Sequence, residues 1–275
     1  MMKVSRLSSG IKYFILFAAA LFFITPFIYT LFNSFKSEQE IFQVPQSFFP
    51  NNIIFDNYIK IFTEGFSNYF VNSAIITIVG VILITILSAL AGYAFARLPF
   101  KGQDILLVAL LMTITLPLAI FLIPMYLMEN RLGILNTNLG LILPNVAVGL
   151  PFAIFIMRAT FLSIPKEIEE SAAIDGCGIF QTWWRVMLPM AKNGLIIIII
   201  HGFYNIWGEY TLAKTLATDQ ASMPLTVGLT LFKGEVWAFG TLAAVIVLSM
   251  LPPIIIFIIF QKQMVEGISQ GSIKG

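Results

Sequence analysis

The chain of 275 residues is strongly apolar: 58% of its residues are hydrophobic, 11% are charged and 26 are Phe. A soluble domain carries about 25% charged residues, so a globule of this length would lack the polar side chains to cover its surface. Disorder and a coiled coil are excluded too, because the first requires low hydrophobicity and the second many charged positions. The net charge of +2, from 16 Lys and Arg against 14 Asp and Glu, does not indicate that the protein binds nucleic acid. The composition predicts an all-α integral membrane protein.

Six long stretches without charged residues predict six transmembrane helices. A span needs about 20 apolar residues, and a charge near the bilayer centre costs roughly 2.5–3.5 kcal/mol on insertion scales. The expected spans are, approximately, 13–35, 70–96, 105–128, 136–157, 190–212 and 238–260. The basic start leads into the first span without a small-residue cleavage site, which favours a retained span over a signal peptide. We expect the whole chain, 1–275, to form one transmembrane domain.

The basic residues predict the orientation of these spans. An even number of spans places both termini on one side, and eleven of the 16 Lys and Arg residues fall on that side. Since cytoplasmic loops are enriched in Lys and Arg, both termini and the loops after spans two and four are expected in the cytoplasm. Prolines interrupt several spans, Pro117 and Pro151 among them, and these either shape kinks or serve as hinges of a gate.

The sequence lacks the usual signals of catalysis and metal binding. It has no Walker-type phosphate loop and no His and Glu pair at zinc-binding helical spacing. Its one cysteine, Cys177, allows neither an intramolecular disulfide nor a cysteine-rich metal site. Its one histidine, His201, lies in span five, either as a functional ionisable group or as a neutral imidazole packed between helices. We expect no enzyme activity, no metal and no bound cofactor here; any energised step would need another subunit.

The longest predicted cytoplasmic loop, 158–192, has the pattern of a short helix. Ser163 is a candidate N-cap, Pro165 falls in the first turn, and acidic residues follow early in the helix. Gly176 supplies a C-terminal stop. Small residues three and four apart would let a partner backbone approach, and neighbouring carboxylates suit a partner's Arg or Lys. The alternative is a surface helix that only connects two spans.

This loop resembles the EAA loop of the permease subunits of ABC-type importers. The sequence ESAAIDG at 170–176, followed after nine residues by VMLP at 186–189, keeps the family spacing of Glu-Ala-Ala, three residues, Gly, nine residues and Ile-x-Leu-Pro. Ser171 and Val186 depart from the pattern by small or isosteric changes. The resemblance implies that 163–189 contains a cytoplasmic coupling helix, between spans four and five, that docks on an ATPase. The residues it assigns to this coupling are Glu170, Ser171, Ala172, Ala173, Asp175, Gly176, Leu188 and Pro189.

The rest of the chain resembles the carbohydrate branch of these permeases, particularly the smaller of the two maltose-type permease subunits. The matching segments include SFK at 34–36, GYAFAR at 92–97 and FKG at 100–102, whereas Gly208 stands where the family often has Asn. The resemblance implies a second homologous permease subunit, two cytoplasmic ATPase subunits that carry ATP and Mg, and an extracytoplasmic solute-binding protein. It also implies a multi-pass protein of a bacterial or archaeal-type cell (inner) membrane, in contact with lipid.

The function implied is half of a translocation pathway for a sugar or oligosaccharide, driven by ATP hydrolysis in the separate subunits. The alternatives are an importer of another small polar solute, such as a glycerol phosphate or a polyamine, and a stand-alone secondary transporter. The sequence shows no inverted repeat or intramembrane chain of acids and bases to support the latter. Candidates for the path, each also suited to hydrogen bonds between helices, are Asn72, Ser73, Asn145, Asn205 and Glu209. In maltose-type systems the other permease subunit holds most of the sugar.

Overall fold

The computed structural model describes residues 6–63, 65–233 and 238–272, which form helices and connecting segments without a β-strand. Short 3-10 segments and one π-helical turn, Trp183–Met187, join the helices. The α-helices of the described residues are α1 Arg6–Asn33, α2 Glu38–Ile41, α3 Asp56–Thr63, α4 Phe66–Arg97, α5 Gln103–Thr115, α6 Leu122–Leu132, α7 Asn138–Leu162, α8 Lys166–Ile174, α9 Ile179–Thr182, α10 Leu188–Met190, α11 Lys192–Trp207, α12 Thr211–Leu216, α13 Leu225–Gly228 and α14 Phe239–Ser272.

Four helices of the described residues are long and apolar enough to cross a membrane. They contain the segments Gly10–Asn33, Phe66–Arg97, Asn138–Leu162 and Phe239–Met264. Two bent helix pairs, Gln103–Thr115 with Leu118–Leu132 and Ile179–Met190 with Lys192–Trp207, also qualify when each pair is taken as one span. The chain is therefore an all-helical, multi-pass integral membrane protein with four to six spans.

The predicted third span, 105–128, is not a continuous helix. It breaks between α5 and a 3-10 turn at Leu118–Phe121, and the two halves of the pair meet at 100°. Proline disfavours a helical conformation in the residue before it, and Leu116, which precedes Pro117, is extended at φ −81° and ψ 131°. The break is thus a local consequence of Pro117.

The predicted fifth span, 190–212, is interrupted as well. The helix α11 ends at Trp207, Gly208 follows as its C-cap, and the chain resumes helical structure in α12. On the N-terminal side, a bend of 75° separates Ile179–Met190 from α11. The first and last residues of the predicted span therefore lie outside α11.

The predicted coupling helix forms as α8, but it begins at a different residue from the one expected. Pro165 is its N-cap, whereas Ser163 ends the preceding helix, donating from its N–H to Ala159 O at 3.2 Å. Pro165 disfavours a helical conformation at the residue before it, which separates the two helices. Gly176 ends α8 as predicted, in the left-handed conformation at φ +83°.

The chain divides into two compact units. The first comprises the described residues of Met1–Ser67 and Leu229–Leu251. Its loop after α1 is fastened by Asn57, whose Nδ2 donates to Ser34 O at 3.0 Å and Lys36 O at 2.9 Å. Lys36 is fully buried and donates from Nζ to Ser47 O at 2.6 Å. These contacts give the first loop of the chain a fixed structure.

The second unit comprises the described residues of Asn68–Gly228 and Pro252–Gly275. Its core is the close packing of α7 against α4 and α11. A Cβ atom on Gly92 of α4 would lie 2.5 Å from Met157 Cβ, and one on Gly194 of α11 would lie 2.3 Å from Thr160 Oγ1. Glycine therefore lets the three helices approach at the end of α7 from which the coupling helix leaves.

Candidate coupling surface and translocation cavity

The loop around α8 presents carboxylates and apolar side chains together on its surface. Ile174 is 87% exposed, Phe180 70% and Trp184 58%. Exposed apolar side chains of this kind are typical of a surface that a partner or a membrane covers. Five of the residues assigned to ATPase coupling are exposed beside them: Glu170, Ser171, Ala173, Asp175 and Gly176.

Ala172 departs from the expected arrangement. It is 7% exposed and therefore packs inside the chain, whereas its neighbours Glu170, Ser171 and Ala173 are exposed. Its carbonyl accepts a hydrogen bond from Cys177 N at 3.0 Å. Leu188 and Pro189 lie in α10, directly after the π-helical turn, where the N–H of Leu188 donates to Trp183 O, five residues back. These two residues therefore belong to the bent segment before α11 and not to the coupling helix α8.

Arg97, the last residue of the matching segment 92–97, contacts the coupling helix and the end of α7. Its Nη2 donates to Phe161 O at 2.9 Å and also to Ile164 O. Its Nε lies 3.4 Å from Glu169 Oε2. The end of α4 thus contacts both the end of α7 and the coupling helix. In the sequence, Arg97 ends an apolar span and a segment that matches the family, and neither feature predicts its contact with Glu169.

A cavity of about 600 Å³ lies in the second unit, and three of the five predicted path residues line it. Asn145 of α7 and Asn205 of α11 each donate from Nδ2 to a carbonyl of their own helix, Leu141 O and His201 O, both at 2.8 Å. The break in the predicted third span supplies part of the wall, including Leu116. Within the residues that the structure describes, no three His, Cys, Asp or Glu side chains are grouped to hold a metal ion.

The third path residue, Glu209, is a partly buried carboxylate whose hydrogen bonds are satisfied by the backbone. Its Oε1 accepts from Leu212 N at 2.7 Å and its Oε2 accepts from Ala213 N at 2.8 Å. Negative charge is favoured at the N-terminus of a helix, so Glu209 caps α12 while it lines the cavity.

Two aromatic side chains of the cavity wall, Phe152 and His201, form a stacked pair. Their ring centroids lie 4.2 Å apart with an interplanar angle of 30°. Both side chains line the cavity, and His201 is exposed. The histidine is therefore a surface residue of the cavity and not an imidazole enclosed between helices.

Asn72 and Ser73 do not line this cavity. Asn72 Nδ2 donates to Ala221 O at 2.8 Å and to Met223 O at 3.1 Å. Ser73 is 3% exposed and its Oγ accepts from Leu225 N at 2.8 Å. Ser73 borders a small neighbouring cleft together with Asn145 and Glu209. Both residues fasten the segment after α12 to α4, since their polar groups bind its backbone.

Comparison with known proteins identifies the family that the EAA-type loop indicated. The family described as "Binding-protein-dependent transport system inner membrane component" matches residues 84–270. The chain is 33% identical to the diacetylchitobiose uptake system permease protein NgcG of Streptomyces coelicolor, over 98% of this chain and 90% of that protein. It is 31% identical to the arabinooligosaccharides transport system permease protein AraQ of Halalkalibacterium halodurans, over 91% of each.

Solved structures lead to the same family. A chain of a bacterial ABC transporter involved in the import of the acidic polysaccharide alginate matches with a TM-score of 0.82 and 25% sequence identity. The match covers 95% of this chain and 98% of that chain. The resemblance drawn from the sequence is confirmed: this chain belongs to the inner-membrane components of binding-protein-dependent transport systems, as a permease subunit of the ABC type.

Proposed function

We propose that the chain forms half of the translocation pathway of an ATP-driven importer, and that the imported solute is an oligosaccharide. The observation that carries the proposal is the 600 Å³ cavity, lined by two Asn amides, one carboxylate and a stacked aromatic pair. Its volume lies in the range of small-molecule sites, about 300–1,000 Å³. Relatives named for the uptake of diacetylchitobiose and arabinooligosaccharides support a saccharide.

The chemistry of the cavity favours a neutral sugar over the two alternative solutes. Amide groups exchange hydrogen bonds with hydroxyls, and aromatic rings offer an apolar face to a sugar ring. Glu209 is the charged residue of the lining, which includes no Lys or Arg among the described residues, so a glycerol phosphate would find no cation there. A polyamine would have to compete with the two backbone N–H groups that Glu209 already binds.

The importer that we propose contains this chain, a second homologous permease, two ATPase subunits and an extracytoplasmic binding protein. This chain crosses the inner membrane six times, and both of its termini and the loop around α8 lie in the cytoplasm. The exposed Ile174 and Phe180 then meet the ATPase, together with the carboxylates of Glu170 and Asp175. ATP and Mg are bound by the ATPase subunits, and this chain binds no cofactor and no nucleic acid.

The test is complementation of a deletion strain on a panel of single carbon sources. We expect the wild-type chain to restore growth on one oligosaccharide. Ile174→Glu should abolish that growth and the co-purification of the ATPase, because it places a charge at the centre of the docking surface. Val44→Glu is the matched control: Val44 is 95% exposed in the loop after α1, on the opposite side of the membrane by the proposed orientation.

Each contrary result points to a different reading. Growth defects on glycerol phosphate or polyamines, without one on a sugar, would replace the oligosaccharide by that solute. Normal transport by Ile174→Glu would contradict docking through α8. Uptake by the purified chain alone in liposomes would favour a secondary transporter.

A further inference from the structure

We infer that Arg97 locks the coupling helix α8 to the ends of α4 and α7, so that the three helices move as one body during transport. The inference deepens the proposed function and rests on it, since it assumes that α8 receives the force of an ATPase. It concerns how that force crosses the short connection between α7 and α8.

The connection between the two helices would be weak without an added contact. It consists of the three residues 163–165, and Pro165 has no N–H to donate. The carbonyl of Phe161 would normally accept a hydrogen bond from the residue four positions later, which here is Pro165. The carbonyl accepts instead from Ile164 N at 3.2 Å, and Arg97 Nη2 donates to it at 2.9 Å, so the guanidinium adds a second donor where the proline has none.

The same guanidinium reaches beyond the connection to the coupling helix. It donates to Ile164 O, and its Nε lies 3.4 Å from Glu169 Oε2. The side chains of Arg97 and Glu169 are 4% and 20% exposed. Breaking a pair with so little solvent is costlier than breaking a surface pair, because the remaining charge has no water to replace its partner. One side chain therefore holds residues on both sides of the connection.

The helix that carries Arg97 is itself fixed to α7. A Cβ on Gly92 would lie 2.5 Å from Met157 Cβ, and the rings of Tyr93 and Phe161 make an edge-to-face contact at 5.4 Å. Since α4 and α7 cannot slide past each other without disrupting this packing, a displacement of α8 is passed to both. The helix α7 carries several residues of the cavity wall, Asn145 and Phe152 among them, so the lock connects the coupling surface to the cavity.

The first experiment measures the lock in the full-length chain alone. Hydrogen exchange of the amides of 166–174 in lipid nanodiscs is compared between wild type, Glu169→Gln and Glu167→Gln. Glu167 is an exposed glutamate of the same helix and serves as the matched control. We expect Glu169→Gln to speed exchange about tenfold, because it removes the charge that faces the buried Arg97 guanidinium at 3.4 Å, and Glu167→Gln to leave it unchanged. Equal exchange in all three proteins would overturn the inference.

The second experiment measures coupling in the assembled importer, reconstituted with its ATPase and supplied with the sugar that the growth panel identifies. Glu169→Gln should lower the sugar transported per ATP hydrolysed about tenfold, while ATPase binding stays at the wild-type level. Arg97→Ala should lower this ratio at least as much, and the double variant no further, because both remove the same contact. Wild-type ratios in Glu169→Gln would overturn the inference. A wild-type chain that binds no ATPase would instead contradict the proposed function, and the exchange experiment would still decide whether the lock exists.

Discussion

Phe152 is the cavity residue whose substitution best tests whether the cavity binds the solute. Its ring stacks on His201 with centroids 4.2 Å apart and lines the cavity, three residues along α7 from Phe155, which does not line it. Phe155 is 40% exposed and lies about one turn further along the same helix. The two phenylalanines therefore lie on the same helix, but only Phe152 lines the cavity.

We expect Phe152→Ala to raise the solute concentration for half-maximal uptake about threefold to tenfold, which corresponds to the ~0.5–1.5 kcal/mol of an aromatic contact beyond its area. Phe155→Ala should leave uptake near wild type. The measurement is the concentration dependence of uptake in the complemented strain, normalised to the amount of chain in the membrane. Equal effects of both substitutions would show that the ring at 152 serves packing and not the solute.

The contacts of single charged residues are the features that the sequence predicts least. Arg97 closes a predicted span, which is also what an arginine does when it extends to the membrane interface, so nothing in the sequence distinguished that role from its contact with Glu169. Glu129 follows the predicted third span and would be expected in water, yet it is 1% exposed and its carboxylate oxygens have no hydrogen-bond donor among the residues that the structure describes. Both positions depend on neighbours that are far away in the sequence.

At the level of elements, apolar length predicts where a helix lies but not whether it is continuous. The second predicted span falls within α4, and the fourth and sixth lie in α7 and α14 except for their first one or two residues, because each is a long apolar run flanked by polar residues. The third and fifth are interrupted near Pro117 and Gly208, and only the first of these breaks lies in a stretch without charge, since Glu209 follows Gly208. The sequence also indicates where helices pack closely, because glycines in α4 and α11 lie where α7 approaches them.

The contact of α4 with α7 predicts a strong effect of the smallest substitution. In Gly92→Ala the new methyl would lie 2.5 Å from Met157 Cβ and 2.9 Å from Arg158 N, a backbone atom that cannot turn away. We expect it to destabilise the chain by roughly 1–3 kcal/mol, the usual range for overpacking. Gly10→Ala is the control, since Gly10 lies in α1 with nothing within 4 Å of the added methyl. Thermal unfolding of the purified variants in detergent measures both, and equal midpoints would show that α4 and α7 have room to separate.

At the scale of the whole molecule, the orientation depends on whether the pair of α5 and α6 crosses the membrane. The two halves meet at 100°, a geometry that fits either a broken span or a re-entrant loop. Val44 and Ile174 are 95% and 87% exposed, and α4, the bent pair and α7 lie between them in the chain. Three crossings would put the two residues on opposite sides of the membrane, whereas a re-entrant pair would leave two crossings and the same side.

Single cysteines at these two positions distinguish the arrangements, with Cys177→Ser removing the one native thiol. We expect a membrane-impermeant maleimide to label Val44→Cys in intact cells and Ile174→Cys only after permeabilisation, when the chain is expressed without partner subunits. This pattern follows from six spans with cytoplasmic termini, because three crossings then separate the loop after α1 from α8. Labelling of both positions in intact cells, or of both only after permeabilisation, would make the α5 and α6 pair re-entrant. The reverse pattern would place α8 outside the cell, where no ATPase could reach it.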